Sequence, residues 1–199
     1  INGIIIYNKT HFKSAKFRQQ IQCFINDFNK TKLHVVALNN FEVLNYLKQH
    51  QNIQFAFCYD KDIALFHLLE SYHIRCFNNI ECISICDNKA ISYAKFCANK
   101  ISTPKTYILP LTFYTPIISY LSIILKEIKK QGFTYPFIIK ESCSSLGLGV
   151  YLVHNKKELV TILEKFGNRH LIIQEYIQDE VKPENYRLLR ETRYIREEK

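Results

Sequence analysis

The chain contains no methionine and no tryptophan, and only 5 glycines and 5 prolines among 199 residues. So little Gly and Pro excludes collagen-like and low-complexity classes. No apolar run approaches the ~20 residues that a membrane-spanning helix needs. The opening Ile1-Asn2-Gly3-Ile4-Ile5-Ile6 is too short for a signal core and has no basic flank, so no secretory leader is expected. An encoded chain starts with methionine, so its absence points to a trimmed N-terminus or a non-native reading. No Cys-x-x-Cys occurs among the 7 cysteines, an odd number, and several of them (Cys23, Cys58) sit beside apolar residues. Buried free thiols in a reducing, cytoplasmic compartment are the expectation. Cys82 and Cys86 are spaced for one helix face, but a zinc site there needs ligands from elsewhere.

Other absences remove whole chemistries. There is no GxSxG, no HExxH and no Walker GxxxxGK[ST]. The turn after the first apolar run, Tyr7-Asn8-Lys9-Thr10-His11, has no glycine, so a GxGxxG dinucleotide site is excluded there. The 7 histidines show no ligand spacing.

The composition is globular, 47% hydrophobic and 23% charged, with a formal charge of +9. That charge suits an acidic partner, such as nucleic acid, an anionic membrane or a phosphorylated small molecule. It also suits a basic but uncommitted surface. The aromatic residues follow the core periodicity and do not interleave with Lys and Arg, which argues against nucleic acid.

Residues 1–86 alternate strand and helix signals. Apolar runs at 3–7, 33–38, 53–58 and 74–77 read as buried strands. Phe17, Ile21, Phe24, Ile25 and Phe28 recur at helical spacing, a helix is expected over 41–48, and Ile63, Phe66 and Leu69 mark another. This alternation predicts an open parallel sheet with helices on both faces. At Asp87 the pattern changes. Asp87 reads as the N-cap of a helix with Ile91, Ala94 and Ala98 on one side, and residues 107–109 as a strand. Thr115 then reads as a cap with Pro116 at the first helical position, ahead of Ile117, Leu121, Ile124, Leu125 and Ile128. Gly132 reads as its C-cap. Residues 137–140 and 149–153 read as a hairpin. Asn155 and Glu158 resemble a capping box for a helix over 156–166, stopped by Gly167, and 171–173 reads as the last strand.

Three features carry chemistry. Lys140 ends an apolar strand and is followed by a small-residue loop with Ser142, Ser144, Ser145, Gly147 and Gly149. Such a loop can turn its N–H groups onto phosphate oxygens, with the lysine adding a point charge. The same pattern describes an ordinary hairpin loop with a surface lysine. Lys89 stands in the first turn of its helix, where the dipole disfavours a cation unless an anion binds; an exposed lysine there is the plainer reading. Ile172-Ile173-Gln174-Glu175-Tyr176-Ile177 turns abruptly polar after a buried strand. Apolar side chains there can sandwich a planar base while amide and carbonyl groups read its edge, or the strand simply leaves the core.

In this order and spacing the segments Asp87-Asn88-Lys89, 101–106, 137–150, 172–177 and Glu184-Asn185-Tyr186-Arg187 resemble the ATP-grasp ligases, nearest the RimK-like carboxylate–amine type. The resemblance implies an α/β chain with a pre-ATP-grasp, Rossmann-like open-sheet domain at 1–86. An α+β ATP-grasp subdomain would follow at 87–177, with an incomplete start of the C-terminal subdomain at 178–199. It implies that Lys89 and Lys140 contact ATP phosphates, and that Ser145, Gly147 and Gly149 lie in a loop closing over them. Gln174 would meet the adenine amino group, the backbone from Glu175 through Tyr176 to Ile177 would read the rest of the edge, and Asn185 would lie near the ribose. Ser144 stands where the family has its first loop glycine, and Asn185 where it has an acid.

The family also implies magnesium, but no ligand set for it is visible in the sequence. The expectation is therefore a truncated, cytoplasmic ligase chain, inactive alone, with ATP and small-molecule or peptide carboxylate and amine partners. A homo-oligomer is compatible with an apolar face left by the missing half. The alternative is a non-catalytic basic α/β module that binds nucleic acid or an acidic partner.

Overall fold

A computed structural model describes residues 1–145 and 147–178. They form two compact units, Ile1–Ser84 and a second that begins at Ile85.

The first unit is built on strands β1 (Asn2–Tyr7), β2 (His34–Asn39), β3 (Phe55–Tyr59) and β4 (Arg75–Phe77), all parallel, in the order β2-β1-β3-β4. Helices α1 (Ala15–Asn29), α2 (Val43–Gln49), α3 (Ile63–Ser71) and α4 (Ile80–Asp87) supply the crossovers and the way out. Strand alternation sends Ile4 and Ile6 to one face, where they pack with Val43, Phe66 and Leu69, and sends Ile5 and Tyr7 to the other, against Ile21 and the α1 aromatics Phe17, Phe24 and Phe28. Both faces are apolar, which is why β1 reads as an unbroken hydrophobic run. Phe66 is fully buried and contributes on the order of 1.5–3 kcal/mol by leaving water. Ser14 caps α1 by accepting from Phe17 N–H, and Asp62 caps α3 by accepting from Leu65 N–H.

Most thiols depart from the expectation. Cys58 and Cys76 are buried, whereas Cys23, Cys82, Cys86, Cys97 and Cys143 are exposed. Cys23 lies on α1 away from Ile21, the buried residue of that helix; being flanked by apolar residues in sequence does not place a helical residue inward.

The second unit contains α5 (Lys89–Ala98), β5 (Thr106–Ile108), α6 (Leu121–Lys130), β6 (Phe137–Glu141), β7 (Val150–Val153), α7 (Lys156–Phe166) and β8 (Leu171–Glu175). Its sheet is antiparallel in the order β5-β8-β6-β7. Phe137, Ile139, Val153, Leu171 and Ile173 face one way and pack with Ile124, Ile128, Leu159, Leu163 and Phe166 of α6 and α7. The predicted hairpin is β6–β7. Asn155 caps α7 by accepting from Glu158 N–H at 3.0 Å, and the Glu158 carboxylate accepts Asn155 Nδ2 and His154 N–H in return.

Four sequence readings need correction here. Asn88, not Asp87, is the cap of α5, and Asp87 ends α4. The buried residue of α5 is Ala90, while Ile91, Ala94 and Ala98 are exposed; the helix is rotated from the expected face because its first turn is tied to the chain after β6. Thr115 makes no cap: Pro116 stands in that place without a side-chain bond, and a 3-10 turn, Ile117–Tyr120, precedes α6. Finally, β8 runs on through Gln174 and Glu175 because both find partners on neighbouring strands. Among the described residues no helix is long and apolar enough to cross a membrane.

Candidate functional site: two lysines at a serine-glycine hairpin

The face of the second sheet turned away from α6 and α7 is set by the same alternation. Thr106 and Gln174 are directly opposed across β5 and β8, Ile138 opposes Gln174 from β6, and Lys140 lies two residues on, diagonal to Gln174. Lys140 Nζ donates to Gln174 Oε1 at 2.5 Å, and Gln174 Nε2 donates to Thr106 Oγ1 at 2.9 Å. Burial, and then the positive charge of Lys89, hold the Lys140 ammonium below the ordinary lysine pKa. The charge of Lys89 is thus felt at the partly buried Lys140 ammonium.

Lys89 reaches the site from the first turn of α5, whose N-terminus Asn88 satisfies by accepting from Ala90 N–H (3.0 Å) and Ile91 N–H (3.2 Å). The Lys89 backbone N–H donates to Ser142 O at 2.9 Å. Its ammonium donates to Ser144 O (2.6 Å), Ser144 Oγ (3.1 Å) and Ser142 O (3.4 Å). Helix and hairpin loop are thus stitched together at both ends of one residue. Ser144 Oγ in turn donates to Glu141 O, so Ser144 anchors the loop. Gly149 has φ +72°, and a Cβ there would meet Glu141 at 3.0 Å, so the return of the loop into β7 requires glycine. Ser142 Oγ is fully buried with no hydrogen-bond partner among the described residues, a polar atom left unsatisfied in a loop otherwise well bonded.

The structure brings Lys89, Lys140 and Gln174 together with this loop. Ser145, Gly147 and Gly149 lie on it, and Ser145 and Gly147 are exposed. Glu175 is engaged elsewhere: its carboxylate accepts Lys105 N–H at 2.6 Å and its own N–H donates to Lys105 O at 2.9 Å. Tyr176 and Ile177 lie past the end of β8 and are exposed. Asn185 lies outside the described residues, as does the segment from 184 to 187. Sequence reasoning placed Ser142 and Ser144 in the loop and Asn88 and Thr106 in the resembling segments, but gave none of the four a hydrogen-bonding part in the site. Asn88 was signalled by its residue type before a helix; Thr106 was legible only as alternate to Tyr107, which packs against the core.

A separate cavity of about 580 Å³ lies in the first unit at the starts of β1 and β2, lined by residues including Asn2, Asn29, His34, Tyr46 and His50. No lysine or arginine lines it. Among the described residues there is no group of three or more His, Cys, Asp or Glu that could hold a metal ion.

Residues 86–190 match the RimK-like ATP-grasp domain family. The chain is similar to an uncharacterized Mycoplasma genitalium protein, 28% identical over 181 residues, 87% of this chain and 61% of that one. It is also similar to a D-alanine–D-alanine ligase of Petrotoga mobilis, 33% identical over 143 residues, 67% of this chain and 42% of that enzyme. Among solved structures, a D-alanine–D-alanine ligase of Bacillus anthracis superposes with a TM-score of 0.67 at 23% identity, covering 89% of this chain and 58% of that one. The same enzyme solved with ATP superposes with a TM-score of 0.60. The chain thus spans 61% or less of the length of these relatives. The nucleic-acid alternative finds no support in these likenesses.

Proposed function

From the premise that the chain belongs to the RimK-like ATP-grasp domain family, we propose that it forms the ATP-binding part of an ATP-dependent carboxylate–amine ligase. The observation that supports this reading most is a pair of lysines beside a loop of serines and glycines: Lys89 from a helix entrance is bonded to the loop, and Lys140, at the strand end that leads into it, lies within the influence of the Lys89 charge. Two like charges held close in a half-buried place repel one another. An anion between them removes that cost, and a triphosphate supplies several negative oxygens at once.

The reaction is the one that the family resemblance implies. A substrate carboxylate oxygen attacks the γ-phosphorus of ATP, an acylphosphate forms, and ADP leaves. A substrate amine then attacks the acyl carbon, the amide bond forms, and inorganic phosphate departs with the proton passed to solvent. Lys89 and Lys140 stabilise the charge on the phosphoryl oxygens as it shifts. The loop from Ser142 to Gly149 excludes water, and Gln174 meets the base. The site residues Ser145, Gly147, Glu175, Tyr176, Ile177 and Asn185 keep the roles that the family resemblance implies. The carboxylate and amine are small molecules or peptides.

Titration with a fluorescent ATP analogue tests this. The unaltered chain is expected to bind it, and Lys140→Ala to bind it about tenfold or more weakly, the worth of one charge-assisted hydrogen bond. Equal affinity in the two chains would overturn the assignment.

A further inference from the structure

We propose that Thr106 is a specificity-determining residue, because it locks the Gln174 amide with its carbonyl oxygen presented and its NH₂ turned away, and so selects a nucleobase bearing an exocyclic amine over one bearing an oxo group at that position. This inference rests on the nucleotide reading above and concerns the same site.

The orientation follows from what each group can donate. An ammonium has donors only, so Lys140 Nζ at 2.5 Å compels Gln174 to show it Oε1. Nε2 then points at Thr106 Oγ1, 2.9 Å away. The Thr106 hydroxyl has a single hydrogen, which is committed to Pro104 O at 2.8 Å. It therefore faces Gln174 with a lone pair and can only accept. Turning the amide over would set NH₂ against an ammonium at one end and oxygen against a lone pair at the other. Thr106 is 6% exposed, so water does not readily replace its hydroxyl. Position matters as much as chemistry: Thr106 and Gln174 are register partners on adjacent strands, so their side chains must share a face.

A carbonyl oxygen has a second lone pair. Lys140 uses one on Oε1, and the other accepts an N–H from an amino group. An oxo group brought to the same place meets lone pair with lone pair. Sites built to bond a polar substituent reject its mismatch far more strongly than apolar pockets do. Thr106 does not touch the base in this account. It acts through Gln174.

The test compares ATP with inosine triphosphate, which carries oxo in place of amino, by competition against a fluorescent ATP analogue. The unaltered chain is expected to favour ATP. In Thr106→Val the ratio of the two affinities falls by about five-fold, the worth of one net hydrogen bond, and Thr106→Ser restores it. Thr106→Ala removes the same acceptor without adding a methyl and serves where the valine variant does not fold. Adding Gln174→Glu to Thr106→Val also restores the preference, because a carboxylate accepts at both ends and needs no lock. A ratio unchanged in Thr106→Val and Thr106→Ala would overturn the proposal. So would an equal loss of both affinities, which marks a purely structural residue. Failure of the unaltered chain to bind either nucleotide would instead overturn the ATP site, and this inference with it.

Discussion

The sheets of the two units solve the same packing problem differently. In the first, Ile4 and Ile6 go to one apolar layer and Ile5 and Tyr7 to another, so side chains on both faces of β1 are spent on cohesion. In the second, Phe137 and Ile139 go to the core, while Ile138 and Lys140 go to a face that also carries Gln174 and Thr106. A strand with one face committed to packing has the other available for chemistry. Lys140 could not keep its charge on β1, where every outward direction meets hydrocarbon.

Substitutions can break or sharpen that contrast. The largest effect is expected at Phe137, which is 1% exposed: Phe137→Ala costs about 3–5 kcal/mol of stability by urea unfolding. The adjacent Ile138→Ala, on the half-exposed face, costs clearly less. Equal losses would mean that the two faces are not distinct.

Next is Lys140→Met, which removes a cation from beside Lys89 and weakens nucleotide binding without lowering the melting temperature. Its pH dependence has a definite sign. The folded-state pKa of Lys140 lies below the ordinary 10.5. Between that lowered value and 10.5 the unfolded chain holds more protons, so Lys140 makes stability rise with pH across this window. Below it the penalty of burying the charge is present in full. Unfolding curves of the two chains should therefore differ most at neutral pH and converge as pH climbs towards 10.5.

A smaller pair follows. Asn88→Ala and Asn155→Ala each remove a helix cap, and each costs about 1 kcal/mol. Only Asn88→Ala should also weaken nucleotide binding, since only its helix presents Lys89. The smallest effect is expected for Arg169→Ala: its contact with Glu141 at 3.2 Å joins a mostly exposed guanidinium to a carboxylate, and such pairs contribute less than about 1 kcal/mol.

Much of this was legible in the chain alone. Strand-helix alternation located the four parallel strands to within a residue or two, because buried β-runs are apolar throughout. The β6–β7 hairpin and the cap at Asn155 were also readable, since both depend on neighbours in sequence. Asn88 was masked by Asp87, an equally good cap one residue earlier, and the bonds that Asn88 Oδ1 accepts from Ala90 and Ile91 N–H decide between them. The face of α5 was misjudged for the same reason: a helix with few large apolar residues is oriented by what holds its end.

The sequence by itself determined the order of elements, the absence of a glycine-rich dinucleotide turn and the identity of the residues that suit a phosphate. Those properties reside in local pattern and in side-chain chemistry. Only the tertiary structure decided that Lys89 is bonded to Ser142 and Ser144, more than 50 positions away in the chain, and that Gln174 meets both Lys140 and Thr106. Strand register and a helix docked on a distant loop set those meetings, and neither leaves a periodic trace among residues so far apart.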